Sequence, residues 1–190
     1  MRKPRPMAPG NSAGAQIDKA RLAQMLRVDH AGEMAAVEIY KAQKAVFART
    51  ANTGDIYGQL DAQEKDEIIH KVEFDKILNE RGIRPTIMAP IWKPAAWALG
   101  TITALMGEKA AHACTEAVEA VIEEHYLSQE MELCATEADL RATIQKFREE
   151  ETKHKEDAIA FGAKEAVGYP ILSAFIKAGC RAAIGISQRI

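Results

Sequence analysis

Phe147-Arg-Glu-Glu-Glu-Thr-Lys-His-Lys-Glu-Asp-Ala-Ile159 is the stretch on which the reading of this chain turns. Around it, Leu140, Ile144, Phe147, Glu151, His154, Ala158 and Phe161 step by four, three, four, three, four and three, the spacing of one helical face. A glutamate and a histidine therefore sit in the middle of an otherwise apolar stripe. Glu67-Ile-Ile-His70 repeats the pattern once, and a lone glutamate precedes each pair, Glu33 for the first and Glu119 for the second. The two halves keep nearly one offset, 119 − 33 = 86 and 151 − 67 = 84.

The 190 residues suffice for one domain with a sizeable core, and a net charge of −2 with a pI near 6.2 argues against a nucleic-acid partner. Hydrophobic residues make up 47% of the chain but aromatics only 6%, a balance that favours helices over strands. Cys114, Cys134 and Cys180 form no CxxC pair and read as buried, reduced thiols. The basic, proline-rich start lacks the apolar run of a secretory signal, and residues 1 to about 16 read as a disordered tail before a domain over 17–190.

The spacing predicts a first helix from Asp18 to about Thr50, ended by Ala51–Gly54, and a second from Asp55 to about Arg81-Gly82. A third bundle helix covers Glu108 to about Cys134. A fourth, capped by Thr136, continues to about Ala166, and a last, largely apolar helix follows Pro170 to about Arg189. From Pro85 to Gly107 the only charge is Lys93, and the uncharged run Pro94–Gly107 has 14 residues. That is short of the ~20 needed to span a bilayer. It reads either as an apolar helix lying in one leaflet or as a helix buried in the domain or a dimer contact. Trp92, Lys93 and Trp97 at its start favour the first.

Buried carboxylates without partners are costly, so four glutamates and two histidines converging on one core call for cations. Two divalent ions balance four carboxylates. Mixed carboxylate and imidazole ligands with open positions suit iron and oxygen chemistry. A glutamate from each of two helices and a Glu-x-x-His from each of two others is the ligand set of ferritin-like di-iron bundles. In it, Glu33 and Glu119 are terminal ligands, His70 and His154 the imidazole ligands, and Glu67 and Glu151 the bridges. Glu116 and Glu123 flank Glu119 and compete with it. Asp29 and His30 read as supporting or structural groups. Tyr126, seven after Glu119, returns to the ligand face and either borders a substrate cavity or packs in the core, whereas His125 points elsewhere. His112 reads as structural.

Leu26-Arg-Val-Asp-His-Ala-Gly-Glu33, Ile83-Arg-Pro-Thr86, Ala113-Cys-Thr115 with Ala117-Val-Glu119, His125-Tyr126, Phe147-Arg148 and Ala178-Gly-Cys-Arg181 resemble the 5-demethoxyubiquinone hydroxylase family. The resemblance covers about residues 20 to 190. One motif departs: where the family has Glu-Lys-Asp-His, this chain reads Glu64-Lys-Asp-Glu67. Counting back from Arg84-Pro85 places the pair on Glu67 and His70. The resemblance implies an all-α, ferritin-like four-helix bundle with additional apolar membrane-associating helices, built on two approximate repeats, about 20–105 and 106–190. It implies an O₂-using di-iron monooxygenase, with two Fe ions, that hydroxylates the 6-position of a polyprenylated methoxybenzoquinol in ubiquinone biosynthesis. NADH as direct reductant, a membrane surface and, in eukaryotic members, a lipid-binding partner protein come with it. Arg181 would meet the anionic reductant, and Tyr126 would orient substrate or pass electrons. The lack of a targeting segment points to the cytoplasmic face of a bacterial membrane, with the matrix face of the mitochondrial inner membrane as the alternative. Two other classes remain. An iron-storage or peroxide-reducing ferritin-like protein would use the same six ligands, and a metal-free helical interaction protein would leave the charges solvated.

Overall fold

The computed structural model describes residues 17–49, 55–133 and 135–189. The expected tail over residues 1–16, the break at Ala51–Gly54 and Cys134 lie outside them. The described residues form helices α1 (Lys19–Phe47), α2 (Ile56–Arg81), α3 (Ala89–Leu105), α4 (Glu108–Glu132), α5 (Ala138–Ala160) and α6 (Tyr169–Ser187), and no strand. Short 3₁₀ turns precede α5 and α6, at Ala135–Glu137 and Ala163–Glu165. The order long, long, short thus occurs twice, in an all-α, ferritin-like bundle.

Local chemistry sets most helix ends. Asp18 accepts the Ala20 amide at 3.3 Å and caps α1. Gly82, at φ 63°, closes α2 in the left-handed conformation open to glycine. Two ends differ from the sequence reading. The fourth bundle helix stops at Ala160 rather than Ala166, because Gly162 turns the chain at φ 93°. Its N-terminal position is Glu137, and Thr136 belongs to the 3₁₀ turn before it.

Each long helix carries apolar residues on both sides of its polar ones. Leu22, Leu26, Phe74, Tyr126, Leu140, Ile144 and Phe147 pack as one cluster; Ala36, Tyr40, Phe47, Ile56, Leu60 and Ala111 pack as another. On α1 the series Leu26, Glu33, Tyr40 runs from the first cluster to the second in steps of seven, so Glu33 lies between them. Glu67, between Leu60 and Phe74, occupies the same level on α2. The bundle is a polar layer held between two apolar ones.

The two short helices pack outside the long four, α3 against α1 and α6 against α4. Gly100 makes the α1–α3 approach close, since a Cβ there would stand 2.4 Å from the Ile39 carbonyl oxygen. Their outer faces are apolar and open, with Trp97, Ile102 and Leu105 exposed on α3 and Ile171 and Phe175 on α6. α6 is 19 residues long, with mean hydropathy 1.2 and only 17% of its apolar window buried. Trp92 does not share the outward face with Trp97: its indole N–H donates to Ser187 Oγ at 3.0 Å and ties α3 to α6.

Candidate metal centre

The polar layer gathers six side chains. Glu33, Glu67, His70 and Glu151 each offer one ligand atom within 4.8 Å of the others, and so do Glu67, Glu119, Glu151 and His154. Glu67 and Glu151 belong to both groups. Glu33 with His70, and Glu119 with His154, complete one group each. All six are at most 3% exposed. Glu64 belongs to neither group and pairs with Lys44 at 2.8 Å.

Both histidines turn Nδ1 inward. His70 Nδ1 stands 3.0 Å from Glu151 and 3.4 Å from Glu33, and His154 Nδ1 stands 3.2 Å from Glu67 and 3.3 Å from Glu151. The outer nitrogens meet carboxylates from the opposite half, His70 Nε2 with Glu150 at 2.8 Å and His154 Nε2 with Asp66 at 3.2 Å. Such outer partners fix the ring orientation of a ligating imidazole. The ring of His70 also lies against Phe147, centroids 4.0 Å apart.

Charge at this point is unfavourable without a cation. Burial, followed by repulsion from the other glutamates, pushes Glu67 well above the usual carboxylate range, and burial raises Glu119 and Glu33 likewise. Burial also acts on Glu151, but the two histidines more than offset it and hold that carboxyl down. Five of the six residues, all but His154, keep at least one buried polar atom with no hydrogen-bond partner, among them both Glu67 oxygens and His70 Nδ1. Protein interiors seldom leave such atoms unsatisfied, and here they share one small space. Donor type, convergence and orphaned atoms fit two divalent ions of the iron class.

Two tyrosines brace the terminal glutamates across the halves. Tyr40 donates to Glu119 Oε1 at 2.8 Å, and Tyr126 donates to Glu33 Oε1. Each tyrosine lies seven residues after one glutamate and bonds the other, 40 − 33 = 7 and 126 − 119 = 7. The competing glutamates are engaged elsewhere. Glu116 accepts from Ser173 and Lys177, and Glu123 from Thr152 and Lys155. His30 pairs with Asp75 at 2.8 Å, outside the cluster. His112 is buried against Phe161, as expected of a structural residue.

A cavity of about 390 Å³ runs from Glu33 and Tyr126 to the outer helices. Its walls are mostly apolar, from α1, α3, α4 and α6, including Ile39, Leu99, Val118 and Ile176. Phe175 lines it and is 75% exposed, so the cavity opens on the apolar face of α6. His125, expected to point away, lines it as well. The reason is the partner helix: Asp29 on α1 stands 3.3 Å from His125 Nε2 and draws the ring toward α1. Arg181 is not among the lining residues; it is on the surface, bonded to Glu124 at 2.9 Å.

Sequence reasoning missed Asp66 and Glu150, the outer partners of the histidines, and Gln129, which is fully buried beside Asp29. The first two carried a signal. Each directly precedes a central glutamate, and 150 − 66 = 84 repeats the offset of those glutamates.

Residues 20–187 match the family model described as ubiquinone biosynthesis protein COQ7. A 3-demethoxyubiquinol 3-hydroxylase of Rhodospirillum rubrum is 46% identical over 184 residues, spanning 96% of this chain and 82% of that protein. A mitochondrial NADPH-dependent 3-demethoxyubiquinone 3-hydroxylase of Homo sapiens is 39% identical over 92% of this chain and 80% of its own. The mitochondrial 5-demethoxyubiquinone hydroxylase of Saccharomyces cerevisiae is 37% identical over 90% of this chain and 79% of its own.

Proposed function

The chain belongs to the ubiquinone biosynthesis protein COQ7 family, and on that premise we propose that it hydroxylates the ring of a demethoxyubiquinol with O₂. One observation carries the reading: a buried set of four glutamates and two histidines lies at the inner end of an apolar cavity that opens between apolar helices. A mostly apolar passage of this kind suits a long-tailed quinol drawn from a bilayer.

In this reading Glu33, Glu67, His70, Glu119, Glu151 and His154 would hold two iron ions, with Glu67 and Glu151 common to both groups of donors. Once bound, such ions would supply the activation of O₂. The chain does the rest. Tyr126 holds Glu33 in place, the apolar walls keep water from the ring, and the cavity seats the substrate beside the centre. One oxygen atom enters a ring C–H bond and the other leaves as water, with two electrons from a reductant. We assign that role to a nicotinamide nucleotide. The resemblance favours NADH, the names of the mitochondrial relatives include NADPH, and exposed Arg181 is the residue proposed to meet it. The apolar outer faces of α3 and α6 support a peripheral position on a membrane surface. The 46% match to a Rhodospirillum rubrum enzyme favours the cytoplasmic face of a bacterial membrane. A lipid-binding partner protein would deliver substrate to the same face. Iron storage or peroxide reduction would employ the six ligands but has no use for the cavity at Glu33.

Mass spectrometry of the quinones in cells lacking this protein tests the activity. Accumulated demethoxyubiquinone, cleared by the wild-type gene but not by Glu151→Ala, is the expected result. Full ubiquinone content in the deletion strain would refute the reading, and two irons retained by Glu151→Ala would refute the ligand assignment.

A further inference from the structure

The two outer helices carry charge of one sign. α3 has a single charged residue, Lys93, and α6 has Lys177 and Arg181, with Arg189 two residues beyond it. No acidic residue lies in residues 85–107 or 166–190. The whole chain has a net charge of −2, so everything outside these four cations sums to −2 − 4 = −6. The four are not equivalent. Lys177 pairs with Glu116 at 2.8 Å and Arg181 with Glu124 at 2.9 Å, both acids of α4. Lys93 and Arg189 are exposed and have no ion pair among the described residues. These two belong to the open apolar faces. Lys93 is one turn before exposed Trp97 on α3. On α6 the exposed residues Ile171, Phe175 and Ile186 fall within about 60° of one another at 3.6 residues per turn. The closing turn, in which the Arg189 amide donates to the Ile186 carbonyl at 3.0 Å, brings Arg189 to the same side. The Trp92–Ser187 hydrogen bond joins the start of α3 to the end of α6, so the two unpaired cations stand at one end of the paired helices.

We infer that α3 and α6 form a docking surface for a bilayer containing acidic phospholipid, with Lys93 and Arg189 meeting the lipid phosphates while Trp97, Ile171 and Phe175 enter the acyl boundary. The inference deepens the membrane-surface reading above and rests on it. Charge complementarity chooses the lipid. Apolar faces alone bind a neutral bilayer as well as an acidic one. Cations left unpaired at the edge of such a face gain from anionic headgroups, about fivefold in partition for each. The anionic remainder of the molecule is repelled by the same headgroups, so an acidic bilayer also fixes which side faces it. That side holds the mouth of the cavity, at Phe175.

Vesicle flotation of the full-length protein tests this. Vesicles of phosphatidylcholine alone are compared with vesicles in which one third of the lipid is phosphatidylglycerol. The wild type is expected to bind the second at least about tenfold more tightly, and about 0.5 M salt should remove that gain by screening. Lys93→Gln with Arg189→Gln should lose most of the gain and keep the binding to phosphatidylcholine. Lys65→Gln with Lys153→Gln makes the same change in net charge at exposed positions on α2 and α5, and should keep the gain. Equal binding of the wild type to both vesicles overturns the inference, and this comparison stands whether or not a variant folds. An unchanged gain in the Lys93/Arg189 double variant overturns it too, and so does an equal loss in the two double variants, which would reduce the effect to net charge. Competition by soluble glycerol phosphate overturns it as well, because it would assign the cations to a free phosphate ligand. In each of these cases binding to phosphatidylcholine remains and the membrane-surface reading stands. If neither vesicle binds the wild type, that reading falls and takes the inference with it.

Discussion

Asp66 Oδ2 on α2 lies 3.2 Å from Nε2 of His154 on α5, so the residue that precedes one central glutamate holds the histidine that follows the other. Glu150 and His70 repeat the relationship in reverse at 2.8 Å. Each half of the bundle thus aims the imidazole of the other, and neither pair of helices can present its histidine alone.

Asp66→Ala should loosen His154 without unfolding the bundle, because the Asp66 side chain is 52% exposed and carries no core packing. Iron affinity at the Glu119–His154 position should fall about 10- to 100-fold. Ferrous titration against the wild type checks this, and Glu150→Ala should do the same at the Glu33–His70 position. Unchanged affinity in both variants would rule out an orienting role.

The tyrosine pair separates bracing from substrate contact. Tyr126→Phe and Tyr40→Phe each leave a buried glutamate oxygen without its donor. Each should destabilise the metal-free protein by about 1–3 kcal/mol in urea denaturation. Only Tyr126 lines the cavity, so only Tyr126→Phe should also change quinol turnover. Equal loss of turnover in both would show that bracing alone matters.

Gly100→Ala should push α3 away from α1. The added Cβ would meet the Ile39 carbonyl oxygen at 2.4 Å and the Ala42 Cβ at 3.0 Å, and the first of these is backbone that cannot swing aside. Overpacking of this kind costs about 1–3 kcal/mol, read as a fall of several degrees in Tm. Since Ala96 and Leu99 on the same helix wall the cavity, substrate binding should weaken as well. An unchanged Tm would mean that the helices separate freely.

Burial holds the His112 imidazole down to about 4. An unfolded chain takes up that proton near pH 6.5, whereas the folded one resists until about pH 4. The stability that His112 contributes is therefore complete above pH 6.5 and is lost as the pH falls toward 4, by up to roughly 3 kcal/mol. His112→Leu removes this term. The unfolding free energies of wild type and variant should diverge across that window, the variant losing less; parallel curves would show that the fold does not resist protonation of His112.

The helices, their approximate ends and the six converging side chains could be read from the chain itself. Glu-x-x-His within an apolar stripe puts charge where burial penalises it unless a cation is bound, and the two glutamates seven residues before a tyrosine repeat at one offset. Periodicity conveys which face a residue occupies, because the helix repeat is a property of the backbone. It does not convey which residue on another helix lies opposite. That Tyr126 meets Glu33, that Asp66 holds His154, and that Asp29 turns His125 into the cavity depend on the rotation and height of one helix against its neighbour. Side-chain packing across the whole bundle decides those quantities. For the same reason the sequence left Tyr126 either at a cavity or in the core: the cavity walls come from four helices, and no single one of them carries the pattern.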